Sequence, residues 1–174
     1  MPKNAAETEK KMSGYFHSFF HVRQANYSDI PAIMSITREA FKKYDQMSES
    51  EYLDALHETE KDIKHDIDTK IVLIAIRDDV PVGSVRVEVD RENKTAYLSR
   101  FAVKVNSQNN GIGKSIMNLV DEMMMKENIK SISLHTDSKI TSLVRFYYGR
   151  GFYIDSIDRS RGYLRAHLTK DYIY

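Results

Sequence analysis

The chain contains no cysteine, which excludes disulfides and thiolate chemistry and fits a reducing compartment. It also has no long apolar run. The longest, Ile71 to Ile76, is far too short to cross a membrane, and the first residues lack the apolar core of a secretion signal. Neither sign of charge dominates: 26 Lys and Arg against 25 Asp and Glu leave a formal net charge of +1. No Lys/Arg cluster reaches the density of a nucleic-acid surface. These absences predict a cytosolic protein without a nucleic-acid or membrane partner. His, Asp and Glu occur without zinc-ligand spacing, so no metal is expected, and no Ser-His-Asp order stands out.

What is present reads as one domain. The 174 residues are enough to bury a substantial core. Residues 1–18 are polar and charged, then small and aromatic, and read as a mobile leader before a single domain over 19–174. The aromatic group Tyr15, Phe16, Phe19 and Phe20 leaves open a docking role on the domain or on a second subunit. From Phe20 the pattern becomes regular, with a strand over Phe20–Gln24 and then a helix capped by Ser28 or Asp29 with Pro31 in its first turn. Ile30, Ile33, Met34, Thr37 and Phe41 share one face of that helix.

A second helix is predicted from about Ser48 to Asp66, on the apolar stripe Tyr52, Leu53, Leu56 and Ile63. Its surroundings are acidic, and two readings stay open: a solvated face, or a rim that attracts a cationic ligand. Three strands follow as an antiparallel meander, Ile71–Ile76, Val82–Val89 and Thr95–Val103, joined by short polar turns. A helix to Glu127 carries Ile112, Ile116, Leu119, Val120, Met123 and Met124 at helical spacing. A fifth strand, Ile129–His135, runs parallel to the fourth because a helical crossover joins them. A helix over Ser138–Arg150 and strands Phe152–Ile157 and Tyr163–Leu168 complete the prediction.

The most informative segment is Gln108-Asn109-Asn110-Gly111-Ile112-Gly113-Lys114-Ser115, between the fourth strand and its helix. Its glycines allow close backbone approach, and the first amides of the following helix have no intrahelical acceptor. Together with the helix dipole they suit a pyrophosphate. The plainer alternative is a tight strand-to-helix turn. The spacing fits neither a Walker loop nor G-x-G-x-x-G, so nucleoside triphosphates and dinucleotides drop out.

Gln108 to Gly113 resembles the acyl-coenzyme A motif of the GCN5-related N-acetyltransferase (GNAT) superfamily: Gln or Arg, two residues, Gly, one residue, Gly or Ala. Downstream, Phe146-Tyr147-Tyr148-Gly149-Arg150-Gly151-Phe152 resembles that family's Tyr-x-x-x-Gly-Phe segment. With the order of elements, the resemblance spans about Phe20 to Leu168. It implies an α+β fold with a central mixed sheet of six to seven mostly antiparallel strands, a splayed parallel fourth and fifth pair, and about four flanking helices. It further implies acetyl-coenzyme A as co-substrate, with transfer to a primary amine of a small molecule, peptide or protein in a ternary complex. For the chain itself a homodimer is the state to test.

On this resemblance the backbone of Phe101, Ala102 and Val103 would receive the pantetheine arm. Gln108, Asn109, Asn110, Gly111, Ile112, Gly113, Lys114 and Ser115 would form the pyrophosphate cradle. Ile140 stands where the family often has Asn and Leu143 where it has a small residue, so Ser138 or Thr141 would take over that contact. Val105 replaces a frequent proline. Tyr147 matches the tyrosine facing the sulfur and is the candidate general acid, although it shares an apolar helical face with Leu143 and Val144 and also reads as a core residue. The fourth strand has no carboxylate, which leaves Glu88 and His135 as candidate bases, or an amine deprotonated through water. A non-catalytic acyl-coenzyme A sensor on the same fold is the alternative function.

Overall fold

A computed structural model of the chain describes residues 19–47 and 53–173. The predicted leader, with Tyr15 and Phe16, and the first residues of the predicted second helix lie outside them. Seven strands form one sheet: β1 Phe20–Gln24, β2 Ile71–Arg77, β3 Val80–Asp90, β4 Thr95–Val103, β5 Ser131–Asp137, β6 Tyr153–Asp158 and β7 Arg165–Asp171. Their spatial order is β1-β2-β3-β4-β5-β7-β6, and only β4 and β5 pair in parallel. The helices are α1 Ile30–Met47, α2 Leu53–Leu56, α3 Glu60–Thr69, α4 Ile112–Lys126 and α5 Thr141–Tyr148.

Both faces of the sheet are covered, which explains the unbroken apolar run of β2. Leu73 and Ala75 join the core under α4, with Val85, Val87, Ile116, Met117 and Val120. Val72, Ile74 and Ile76 point the other way, against Ile30 and Ile33 of α1 and Ile63 of α3. The period of two is that of any strand, with apolar residues on both sides because neither side meets water. Between β2 and β3 the chain turns through Asp78 and Asp79, both at positive φ (50° and 63°), a twist that suits a two-residue hairpin.

Two sequence expectations need correction. The start of α1 is not capped by Ser28 or Asp29. Asn26 caps a short 3-10 turn over Tyr27–Asp29, accepting from the Ser28 amide, while Asp29 folds back to accept from the Asn26 amide at 2.8 Å. Asp29 also takes two hydrogen bonds from Arg23 (2.7 and 2.9 Å), and chiefly through them its carboxyl is held below the usual carboxylate range. Over its described residues the predicted Ser48–Asp66 helix is two helices, of five in the described chain. It breaks at His57-Glu58-Thr59, because Thr59 and Asp62 form a reciprocal capping box that starts α3 afresh.

Glu58, freed from the helix by that break, turns inward to Arg86 of β3. The Arg86 side chain is 1% exposed and donates to Glu58 through both terminal nitrogens, and to Asp66 at 2.6 Å. Glu58 also accepts from Arg100 Nε at 3.0 Å, and Asp66 pairs with Lys70 at 3.0 Å. Burial opposes the charge on Arg86, yet the hydrogen bonds and charges of Glu58 and Asp66 more than offset it and hold its pKa above the usual guanidinium value. This cluster fastens the α2–α3 segment to the sheet. Arg86→Ala, which takes from Glu58 and Asp66 their shared buried partner and leaves them Arg100 and Lys70, is expected to lower stability by about 3 kcal/mol, the lower end for breaking a buried pair, in urea unfolding. A loss below about 1 kcal/mol would show that the cluster does not hold the segment.

Candidate functional site

The ladder between β4 and β5 covers only Thr95↔Ser131, Ala96↔Ile132 and Tyr97↔Ser133. Beyond Tyr97 the strands part. Within the parted stretch β4 carries a bulge: Arg100 and Phe101 together face Val85 of β3, and Arg100 takes φ +51°, an uncommon conformation for a non-glycine residue. The bulge sends the Arg100 side chain to Glu58 and brings Phe101 to the gap.

A cavity of about 320 Å³ fills the gap, walled by Leu98 to Phe101 of β4 and Leu134 to Thr136 of β5. A second, of about 510 Å³, lies over the loop into α4. Tyr44, Phe101 and Leu143 line both, so the two are neighbouring chambers with a common wall.

The loop chamber has the character of an anion site. α4 starts at Ile112 behind Gly111, which has φ +76° and provides no side-chain cap, so the first amides of the helix have no acceptor within it. Lys43, Lys114, Arg145 and Arg150 line the chamber, adding four cations to the positive end of α4. The two glycines answer different demands. A Cβ on Gly111 would touch nothing within 4 Å, and glycine is favoured there by φ alone. A Cβ on Gly113 would sit 3.0 Å from Phe101 Cζ and 3.5 Å from Phe146 Cζ. Those rings stack at 5.5 Å and 15°.

The remaining predicted loop residues divide by role. Gln108 braces the loop: its Nε2 donates to the Val103 carbonyl at 3.0 Å and its Oε1 accepts from Lys43 at 2.7 Å. Ala102 and Ile112 bury their side chains in the core and offer only backbone. Asn109, at φ +62°, and Asn110 are exposed, and Ser115 Oγ donates to the Gly111 carbonyl at 3.0 Å. Ser138 is not brought to either chamber, because its hydroxyl donates to the Leu164 carbonyl at 2.8 Å. Ser142, the second residue of α5, lines the loop chamber instead. In the sequence, Arg145 and Arg150 are marked only by their spacing around Tyr147, and Lys43 by nothing.

Tyr147 stands in the wall of the gap chamber and is 5% exposed. Its ring packs against Phe101, Phe146 and Phe152 at 6.2, 5.4 and 5.6 Å, which makes it a core side chain as well as part of the cavity wall. His135 lines the same chamber, but its Nδ1 shares a hydrogen bond of 2.8 Å with the Tyr97 hydroxyl, and its ring stacks on His167 at 4.7 Å. Burial first, then the charges of Arg165 and His167, lower its pKa to about 4. Glu88 is apart from both chambers: its carboxylate is 66% exposed and lies 3.9 Å from Lys70. Of the acidic residues around the predicted second helix, only Asp54 lines the gap chamber among those described. Glu58 and Asp66 are spent on arginines and lysine, Asp62 on the Thr59 cap, and Asp68 on Tyr27 and Lys64.

The mixed seven-stranded sheet thus opens between its parallel strands, beside a glycine-bearing helix start. The model of the Acetyltransferase (GNAT) family matches residues 30–152, and the chain belongs to that family. Among solved structures it is similar to the PaiA N-acetyltransferase of Thermoplasma acidophilum in complex with coenzyme A. The TM-score is 0.78 at 21% identity, covering 88% of this chain and 99% of that one. It is also similar to the ribosomal-protein-S18-alanine N-acetyltransferase of Escherichia coli, with TM-score 0.72 at 15% identity over 88% of this chain and 94% of that one. A putative streptothricin acetyltransferase of Bacillus anthracis in complex with acetyl coenzyme A aligns at TM-score 0.55 and 19% identity, over 60% and 64% of the two chains. No curated protein matches.

The low His135 pKa has a consequence for stability. The folded value, about 4, lies below the ordinary 6.5, so between these values the unfolded chain binds a proton that the native imidazole refuses. This contribution is fully present above pH 6.5 and is lost as pH falls toward 4. His135→Asn is expected to flatten that part of the stability–pH curve, and an imidazole NMR titration should find the His135 midpoint near 4. A midpoint near 6.5 would refute both.

Proposed function

We propose that the protein is an acetyl-coenzyme A-dependent N-acetyltransferase acting on a primary amine. The observation that carries this reading is the adjacency of the two chambers: a four-cation loop chamber shares Phe101 with a gap between parted strands. A long ligand with a phosphate end and a strand-like amide arm fits that pair. Helix-start amides with Lys114, Lys43, Arg145 and Arg150 suit the phosphates, and the backbone of Phe101 and Val103, past the end of the ladder, suits the arm.

When bound, acetyl-coenzyme A supplies an activated thioester. The chain's part is to hold a neutral amine against the carbonyl, so that a C–N bond forms, the C–S bond breaks, the nitrogen loses a proton and the sulfur gains one. Tyr147 in the gap wall is the residue we assign to protonate the sulfur. A thiol pKa near about 8.5 makes thiolate a fair leaving group, so this help is modest. Neither Glu88 nor His135 is arranged as a strong base, since one is outside the chambers and the other prefers its neutral form. The reading we favour for the amine proton is therefore loss through water.

Two measurements test this. Acetyl-coenzyme A at about 100-fold over its dissociation constant should raise the melting temperature by about 5–10 °C, corresponding to about 2.7 kcal/mol. Lys114→Glu should melt like the parent without ligand, since an acid in the first turn suits the helix dipole, and should lose most of the shift. No shift in the parent would reject the reading. Tyr147→Phe should lower the rate of thiol release by about 10- to 100-fold with little change in acetyl-coenzyme A affinity. A loss under about threefold would remove Tyr147 from proton transfer.

A further inference from the structure

The gap chamber has charges of its own, and they are not those of a site for a cationic acceptor. Among the described residues its lining carries Arg100, Arg161 and Arg165 against the single carboxylate of Asp54. Arg100 is already engaged by Glu58. Arg161 reaches Asp54 only at 3.6 Å, and those side chains are 60% and 77% exposed, a geometry in which an ion pair is weak and easily displaced. Arg165 lines the chamber from the first position of β7, with its guanidinium beside Tyr163, which lines the chamber too.

We propose that the acceptor is a small primary amine that also bears a carboxylate, with the carboxylate held by Arg165 and Arg161 and the amine directed toward Phe101 and Tyr147. The proposal rests on the acetyl-transfer reading and names the substrate class of that site. Guanidinium groups match a carboxylate through paired N–H donors, which fixes orientation as well as charge. The volume, about 320 Å³, lies at the small end for ligand cavities and suits a molecule of amino-acid size. After burial, the charges of Arg165 and, less, Arg161 also disfavour the protonated form of His135. They would disfavour a second ammonium group in the same way, so a diamine is the wrong partner.

The test compares three acceptors of equal length, 4-aminobutyrate, 1-aminobutane and 1,4-diaminobutane, together with an α-amino acid and its amide, in a thiol-release assay with acetyl-coenzyme A. The carboxylate-bearing member of each set is expected to have a kcat/KM about 10- to 100-fold above its neutral counterpart, with the diamine lowest. Butanoate, which lacks the amine, should inhibit competitively against the acceptor, and that measurement needs no variant. Arg165→Gln should collapse the preference for carboxylate over neutral acceptor mainly through KM, and Arg161→Gln should reduce it. Equal or better use of the neutral amine or the diamine would overturn the proposal and leave acetyl transfer standing. An unchanged preference in a folded Arg165→Gln protein would also overturn it. No thiol release with any amine would overturn the proposal together with the activity on which it rests.

Discussion

The site depends on the place where one hydrogen-bonded ladder stops. β4 and β5 are joined for three residue pairs and then separate, although both strands continue. Backbone groups inside a protein demand partners, so an opening between neighbouring strands must be held open by something stronger than the bonds forgone. Here the bulge at Arg100–Phe101 breaks the regular presentation of β4, and the aromatic side chains Phe101, Phe146 and Tyr147 fill the space beside the opening. The positive φ of Arg100 is a local cost carried at the site and sustained by the surrounding fold. Its side chain ends on Glu58, which also grips Arg86, so the strained residue is tied to the most buried charge cluster of the described structure.

Electrostatics divides the molecule more sharply than its net charge suggests. A chain with a formal charge of +1 places four cations around one chamber and three arginines around the next. Many of its carboxylates serve as caps and as counter-ions in α3 and its neighbours. Composition averages over this segregation, which is created by folding.

The legible parts of the sequence were those with a period or a local conformational demand. Alternation revealed the strands, a helical stripe revealed α4, and Gly111 and Gly113 marked the loop before it. Parallel pairing of β4 with β5 followed from the crossover between them. Long-range chemistry was not legible. Nothing local to Arg86 says that a charged residue in a strand will be 1% exposed, because its counter-ions come from residues 58 and 66, brought together by the break in the helix. The acidic segment reads from the sequence as a solvated face or a rim for a cationic ligand, while Glu58 and Asp66 face inward. Ser138 is close in sequence to an altered motif position, but its hydroxyl is taken by a carbonyl on the approach to β7. The bulge in β4 left no mark, since Arg100 and Phe101 continue an ordinary strand pattern.

Gly111 and Gly113 look interchangeable in the motif, yet they constrain the molecule in different currencies. At Gly111 the limit is angular: there is open space, and a residue that accepts left-handed backbone, such as asparagine, could stand there at modest strain. At Gly113 the limit is space. Any side chain would press on Phe101 and Phe146, and Phe101 is one of the three residues that line both chambers. The seat of that shared wall therefore depends on a missing methyl group, and the loop can vary at position 111 far more readily than at position 113.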